Sequence, residues 1–248
     1  MQNKGKSIMI KTFIAAGLLA AAGIVSAQEE IARWDFSKGK IDSVDGKFKT
    51  RFRGTTKIAG EQGKQYLDVG LTNKDKPEGI VTVKRYPELT PKGAFRLEVK
   101  ARLREQSTKK PEMALWDNNY VMDASWGRHK TNPDSKKGFA LQLIRRKDGT
   151  FICAGRFGFT NSLEAAYSKP MTLNEDEDFT LAIEYDGVKE VSFYLNGTLN
   201  RKTSLKTGGP LTEAVYPLTI GDRHSSMHQR FDGQILEVKL SALPPKTK

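Results

Sequence analysis

The sequence predicts an all-β chain folded as a two-sheet antiparallel sandwich, and three observations predict it. Apolar residues recur with period two: Phe179, Leu181, Ile183 and Tyr185 share one face of a run, as do Val191, Phe193 and Leu195 of the next. Glycine-bearing pairs punctuate such runs. Asp148-Gly149, Asp186-Gly187 and Asn196-Gly197 supply the positive φ that tight hairpins demand. Finally, no segment sustains a helical period; short runs alternate instead with Gly, Pro, Asn or Asp.

Taken in order, the chain opens with Lys4, Lys6 and Lys11 ahead of an apolar run from Thr12 to Val25, then Val25-Ser26-Ala27. Basic residues, a short alanine-rich apolar stretch and small residues make a secretory leader, with cleavage expected before Gln28. The run falls short of the roughly 20 apolar residues a bilayer span needs. No other segment is apolar enough to enter a membrane, so residues 28–243 are expected as one exported domain and 244–248 as a short tail. Strands are expected at Ile31 to Phe36, Lys47 to Phe52, Gln65 to Val69, Gly79 to Lys84, Phe95 to Arg104, Met113 to Trp116 and Tyr120 to Trp126. Further strands are expected at Phe139 to Arg145, Thr150 to Ala154, Phe179 to Tyr185, Val191 to Leu195, Pro217 to Ile220 and Gln234 to Leu240. Leu163 to Tyr167 is expected to make one helical turn. The first and last strands are expected in one sheet.

The closing block reads T-L-A-I-E-Y-D-G, V-S-F-Y-L-N-G, L-T-I-G-D and F-D-G-Q-I-L-E-V-K-L. That order resembles the last strands of laminin-G-like domains in the concanavalin A-like lectin and glucanase superfamily. Ile31 to Phe36 looks like the opening strand of such domains, and Phe95 to Val99 stands where an early core strand of the family does. The chain departs from the pattern between Gln106 and Lys137. The resemblance implies a jelly-roll sandwich that binds sugar or adheres, with a minority of glycan-cleaving members. It also implies that calcium is admissible at the sandwich rim. Asp117 and Asp222 are the candidate ligands, though no spaced array of oxygens accompanies them.

The formal charge of +12 falls to +9 once the three leader lysines are removed. A basic surface favours polyanions such as acidic polysaccharides, and it also simply keeps a domain soluble. No nucleic-acid motif accompanies it. Cys153 is the single cysteine, flanked by Phe151, Ile152 and Ala154, so it is read as a small buried group rather than a nucleophile. Phe95 to Arg104 turns Arg96, Glu98, Lys100, Arg102 and Arg104 to one side. At about 7 Å between i and i+2 positions these make either a polyanion ridge or the solvated face of an edge strand, the second being favoured because Glu98 interrupts the run.

The loop region around Trp116-Asp117-Asn118-Asn119-Tyr120 and Trp126-Gly127-Arg128 mixes aromatics with amides and cations. Aromatic faces stack on sugar rings while polar groups bond hydroxyls. Trp116, Tyr120, Trp126, Arg128 and Arg223 are therefore the candidate ligand contacts, weighed against a core role for the alternating residues near Tyr120. The histidines His224 and His228 lack the companions that a zinc site needs.

For catalysis, Glu175-Asp176-Glu177-Asp178 is the densest acid cluster, but the glucanase E-x-D-x-x-E spacing is absent. Arg96-Leu97-Glu98-Val99-Lys100 resembles the R-x-E-[LV]-R strand of one alginate-lyase family, without that family's other motifs. The expectation is an exported, non-catalytic module for a polysaccharide or glycoconjugate, preferentially anionic, periplasmic or extracellular, needing no cofactor. A polysaccharide-cleaving enzyme and a structural protein-interaction domain remain the alternatives.

Overall fold

The computed structural model describes residues 28–69, 77–104, 112–117, 137–223 and 230–244, with backbone alone at 112–114 and 117. In chain order the strands begin with β1 (Glu29–Asp35), β2 (Thr50–Phe52), β3 (Lys57–Ala59), β4 (Tyr66–Asp68), β5 (Ile80–Thr82), β6 (Phe95–Leu103), β7 (Glu112–Asp117) and β8 (Phe139–Arg145). They continue with β9 (Phe151–Gly158), β10 (Leu163–Tyr167), β11 (Asp178–Tyr185), β12 (Glu190–Leu195), β13 (Thr198–Ser204), β14 (Thr219–Ile220) and β15 (Gly233–Ala242). The expected leader, the expected strand Tyr120 to Trp126 and the last four residues lie outside the described residues.

Two antiparallel sheets form a jelly-roll-type sandwich. The first runs β13-β12-β11-β6-β15-β4-β3, with β1 also on β15; the second runs β10-β9-β8-β7-β14-β5-β2. β15 is long enough to serve two neighbours along one edge. Gln234 and Ile235 pair with β4, while Glu237 to Ala242 pair with β1. The first and last strands thus share a sheet, as the sequence predicts.

Alternation decides which side chains enter the core. In β6, Phe95, Leu97, Val99, Ala101 and Leu103 are buried and the residues between them are half-buried. Trp34 of β1 meets Phe48 at 6.0 Å and Trp116 of β7 edge-on at 6.0 Å, and Trp116 stacks on Phe139 of β8 at 5.4 Å. Each such side chain contributes roughly 1.5–3 kcal/mol through burial. Gly155 of β9 faces this core because a Cβ there would collide with Ile183 of the opposite sheet.

Turn chemistry follows the residues. Leu195 pairs with Thr198 across Asn196 (φ 49°) and Gly197 (φ 78°), a two-residue hairpin with both central residues left-handed. At the β11–β12 turn Gly187 takes φ 79°, but Asp186 does more: its Oδ1 accepts from the backbone N–H groups of Val188, Lys189 and Glu190. This makes a wider, side-chain-capped turn.

Two expectations are corrected, and one strand was not foreseen. Leu163–Tyr167 is strand β10, pairing with Gly158 to Ala154 of β9; the ladder and the burial of Ala166 override the helical preference of Glu-Ala-Ala. β6 is a central strand between β11 and β15, not an edge. β13 follows the Asn-Gly turn directly although its sequence, Thr-Leu-Asn-Arg-Lys-Thr-Ser, shows no apolar alternation; as an edge strand it buries little.

Candidate functional site

Of the five candidate contacts, two lie among the described residues and neither reaches solvent. Trp116 is 0% exposed, its ring held between Phe139 and Trp34. A bulge explains it: Ala114 pairs with Gln142 and Trp116 with Leu141, so Leu115 is the extra residue and Leu115 and Trp116 are both buried. Arg223 is 4% exposed, with its N–H donating to Asp222 Oδ1 and its carbonyl accepting from Arg53. It belongs to the closure of one end of the sandwich. Tyr120, Trp126 and Arg128 lie outside the described residues, as do His224 and His228.

Asp222 is 0% exposed and its carboxylate is occupied by backbone: Oδ2 accepts from Glu78 N at 2.8 Å and Oδ1 from Arg223 N at 2.7 Å. It stitches the chain after β14 to the chain before β5. The side chain of Asp117 lies outside the described residues. Among the described residues no group of three or more His, Cys, Asp or Glu is placed to hold a metal ion.

The charged row of β6 is self-neutralising. Arg96 pairs with Glu98 (2.7 Å) and with Glu184 (2.8 Å), and its guanidinium also lies over the Tyr194 ring at 4.9 Å. Lys100 and Arg102 share Asp178, at 3.3 and 2.6 Å, while Arg104 meets Asp68 and Asp232. Burial alone would raise the Asp178 carboxyl, but the hydrogen bonds and charges of Arg102 and Lys100 outweigh it and hold it below the ordinary range. This face is therefore a lattice of paired charges, not a cationic ridge. The acid cluster dissolves in the same way: Asp178 joins β11, and Glu177 accepts from Asn174. Cys153 is 1% exposed and burial pushes its thiol up, which removes thiolate character.

The outward face of the second sheet has a different chemistry, and the sequence reading missed it. Across β8, β9 and β10, Gln142 pairs with Ala154, Ala154 with Tyr167, Ala140 with Arg156, and Arg156 with Ala165. These residues alternate with Phe157, Cys153 and Leu141, which enter the core, so they share the opposite face. Arg156 Nε donates to Gln142 Oε1 at 2.7 Å. Tyr167 is 40% exposed and Ala165 is exposed, whereas Ala140, Gln142 and Ala154 are buried. The accessible part is thus the β9–β10 margin, where small side chains lie between an arginine and a tyrosine. The reading of 163–167 as a helical turn hid it, because only a strand puts Ala165 and Tyr167 on one side.

A groove of about 510 Å³ lies at the end of the sandwich between Ile31, Lys92, Ala94, Val188 and Leu243. Its polar members serve the fold: Lys92 Nζ donates to Leu211 O, and Asp186 caps the β11–β12 turn.

No protein-family model matches the chain, and no curated protein sequence matches it. Solved structures do. Domain 4 of AbnA, a GH43 extracellular arabinanase from Geobacillus stearothermophilus solved in complex with arabinotriose, is similar with a TM-score of 0.58 and 14% identity, over 87% of this chain and 93% of that one. The binding domain of botulinum neurotoxin DC, solved with rat synaptotagmin II, gives a TM-score of 0.60 at 11% identity over 87% of this chain and 49% of that one. The binding domain of Paraclostridial Mosquitocidal Protein 1 gives 0.56 at 12% identity, over 86% and 47%. The chain spans about half the length of these toxin domains. At such identities the agreement is one of fold: the protein is a two-sheet antiparallel sandwich of jelly-roll type.

Proposed function

We propose that the protein is an exported, non-catalytic, laminin-G-like module that binds a glycan. The observation carrying this is the extent of the fold match to the arabinanase domain. A structure bound to arabinotriose is covered over 93% of its length by this chain. The toxin binding domain solved with SialylT, similar at a TM-score of 0.58 and 12% identity, supports the same class of ligand. The rim residues Tyr120, Trp126 and Arg128 remain candidate contacts by composition, and the net charge of +9 after leader removal favours anionic chains. Export rests on the leader, and N-terminal sequencing of the secreted protein should begin at Gln28.

Affinity electrophoresis against neutral and acidic polysaccharides tests the proposal. Retardation without change in the polysaccharide supports it. An ultraviolet-absorbing unsaturated product, or new reducing ends, at micromolar protein would replace it with an enzyme. Retardation by none of the polysaccharides, with capture of a protein partner instead, would favour adhesion, as the synaptotagmin complex of a similar fold illustrates.

A further inference from the structure

The two outward faces of the sandwich treat their arginines differently. On the first sheet Arg33, Arg96, Arg102 and Arg104 each stand within 3.7 Å of a carboxylate. On the second sheet Arg156 has none among the described residues. Its bond is to a neutral amide oxygen, Gln142 Oε1, made through Nε. Gln142 is 0% exposed, so this partner is held in the sheet and fixes the plane of the guanidinium. The Nη1 and Nη2 edge is left to engage something else.

Tyr167 stands on the same face, diagonal to Arg156 across the β9–β10 ladder. Diagonal neighbours lie roughly 7–8 Å apart, within reach of aromatic and long side chains. Directly opposite Arg156 on β10 stands Ala165, small and exposed, which puts no bulk in the way. An arginine fork with a free edge suits a planar carboxylate with two acceptor oxygens, and an exposed tyrosine ring suits the C–H face of a pyranose. A uronic acid carries both groups on one ring.

From this arrangement we infer that Arg156, oriented by Gln142, and Tyr167 form a subsite for the carboxylate-bearing pyranose of an acidic polysaccharide. The inference deepens the glycan-binding reading and rests on it. Arg156 reads the carboxylate, Tyr167 stacks on the ring, and Gln142 is a positioning residue.

The test is affinity electrophoresis of the full chain in polygalacturonate, alginate, carboxyl-reduced polygalacturonate and arabinan, with thermal melts confirming the fold of each variant. Wild-type protein should be retarded by the two polyuronates and far less by the carboxyl-reduced polymer. Arg156→Gln should weaken polyuronate binding by about tenfold or more, and Arg156→Lys by an intermediate factor, since it keeps the charge but loses the fork. Tyr167→Ala should weaken binding where Tyr167→Phe does not. Lys57→Gln, which removes an equal charge from β3 on the other sheet, should match wild type. If Arg156→Gln equals wild type, equals Lys57→Gln, or if reduced and native polymers bind alike, the subsite is overturned while glycan binding stands. If wild type is retarded by none of the wider polysaccharide set, the glycan reading itself falls and the subsite with it.

Discussion

Replacing Trp116 separates a core residue from a ligand contact. The ring is wholly buried between Phe139, 5.4 Å away and stacked, and Trp34, 6.0 Å away and edge-on. Trp116→Ala should therefore destabilise the fold by roughly 3–5 kcal/mol, the usual range for removing a large aromatic from a core. In a domain of this length each kcal/mol moves the midpoint by about 2–4 °C, so Tm should fall by roughly 6–20 °C. Trp116→Phe should behave otherwise. The indole N–H finds no hydrogen-bond partner among the described residues, and leaving such a donor buried costs about 1–3 kcal/mol. Phenylalanine loses some contact area but also removes that donor, so the two effects nearly offset and the loss should stay within about 1 kcal/mol. Urea unfolding followed by circular dichroism reads both variants. The reasoning is refuted if Trp116→Ala costs under about 1 kcal/mol, or if it abolishes glycan binding with the unfolding midpoint unchanged.

Four further expectations follow from individual side chains. The Tyr185 hydroxyl lies 2.6 Å from Gly209 O and 2.8 Å from Val188 O, so Tyr185→Phe should cost about 1–2 kcal/mol in urea unfolding. Burial pushes the same phenol up to about 12, so it should stay protonated in an ultraviolet titration through pH 11 while exposed tyrosines ionise. Cys153 should resist Ellman's reagent in the native state and react on denaturation; rapid native labelling would contradict its burial. Asp178, held below its ordinary value of 3.8, contributes stability that is complete above that value and lost as pH falls through its folded pKa. Asp178→Asn should therefore flatten the acid limb of a stability-versus-pH curve, and an unchanged limb would remove it from the linkage.

Much of the fold was legible because period-two burial is a local signal. Phe95 to Leu103 shows it residue by residue, Phe179 to Tyr185 shows it with the small Ala182 buried as well, and the two runs pair in the structure. The misses share a cause. Leu163 to Tyr167 and Thr198 to Ser204 are outer strands whose identity comes from the neighbour they hydrogen-bond, not from an apolar stripe of their own. The site was less legible. Trp116 is preceded by a bulge that a sequence does not announce. Arg156 and Gln142 are fourteen positions apart and meet only because a hairpin closes at Asp148-Gly149. Arg96 to Arg104 read as a stripe of cations because Asp68, Asp178, Glu184 and Asp232, which pair with them, come from elsewhere in the chain.

The pairing of Glu29 with Ala242 brings two residues more than two hundred positions apart side by side. A few added residues should splice these points into a closed ring, and the Asn196-Gly197 hairpin offers a place to cut new termini. Such a rearranged chain would keep every sheet partner except that one turn.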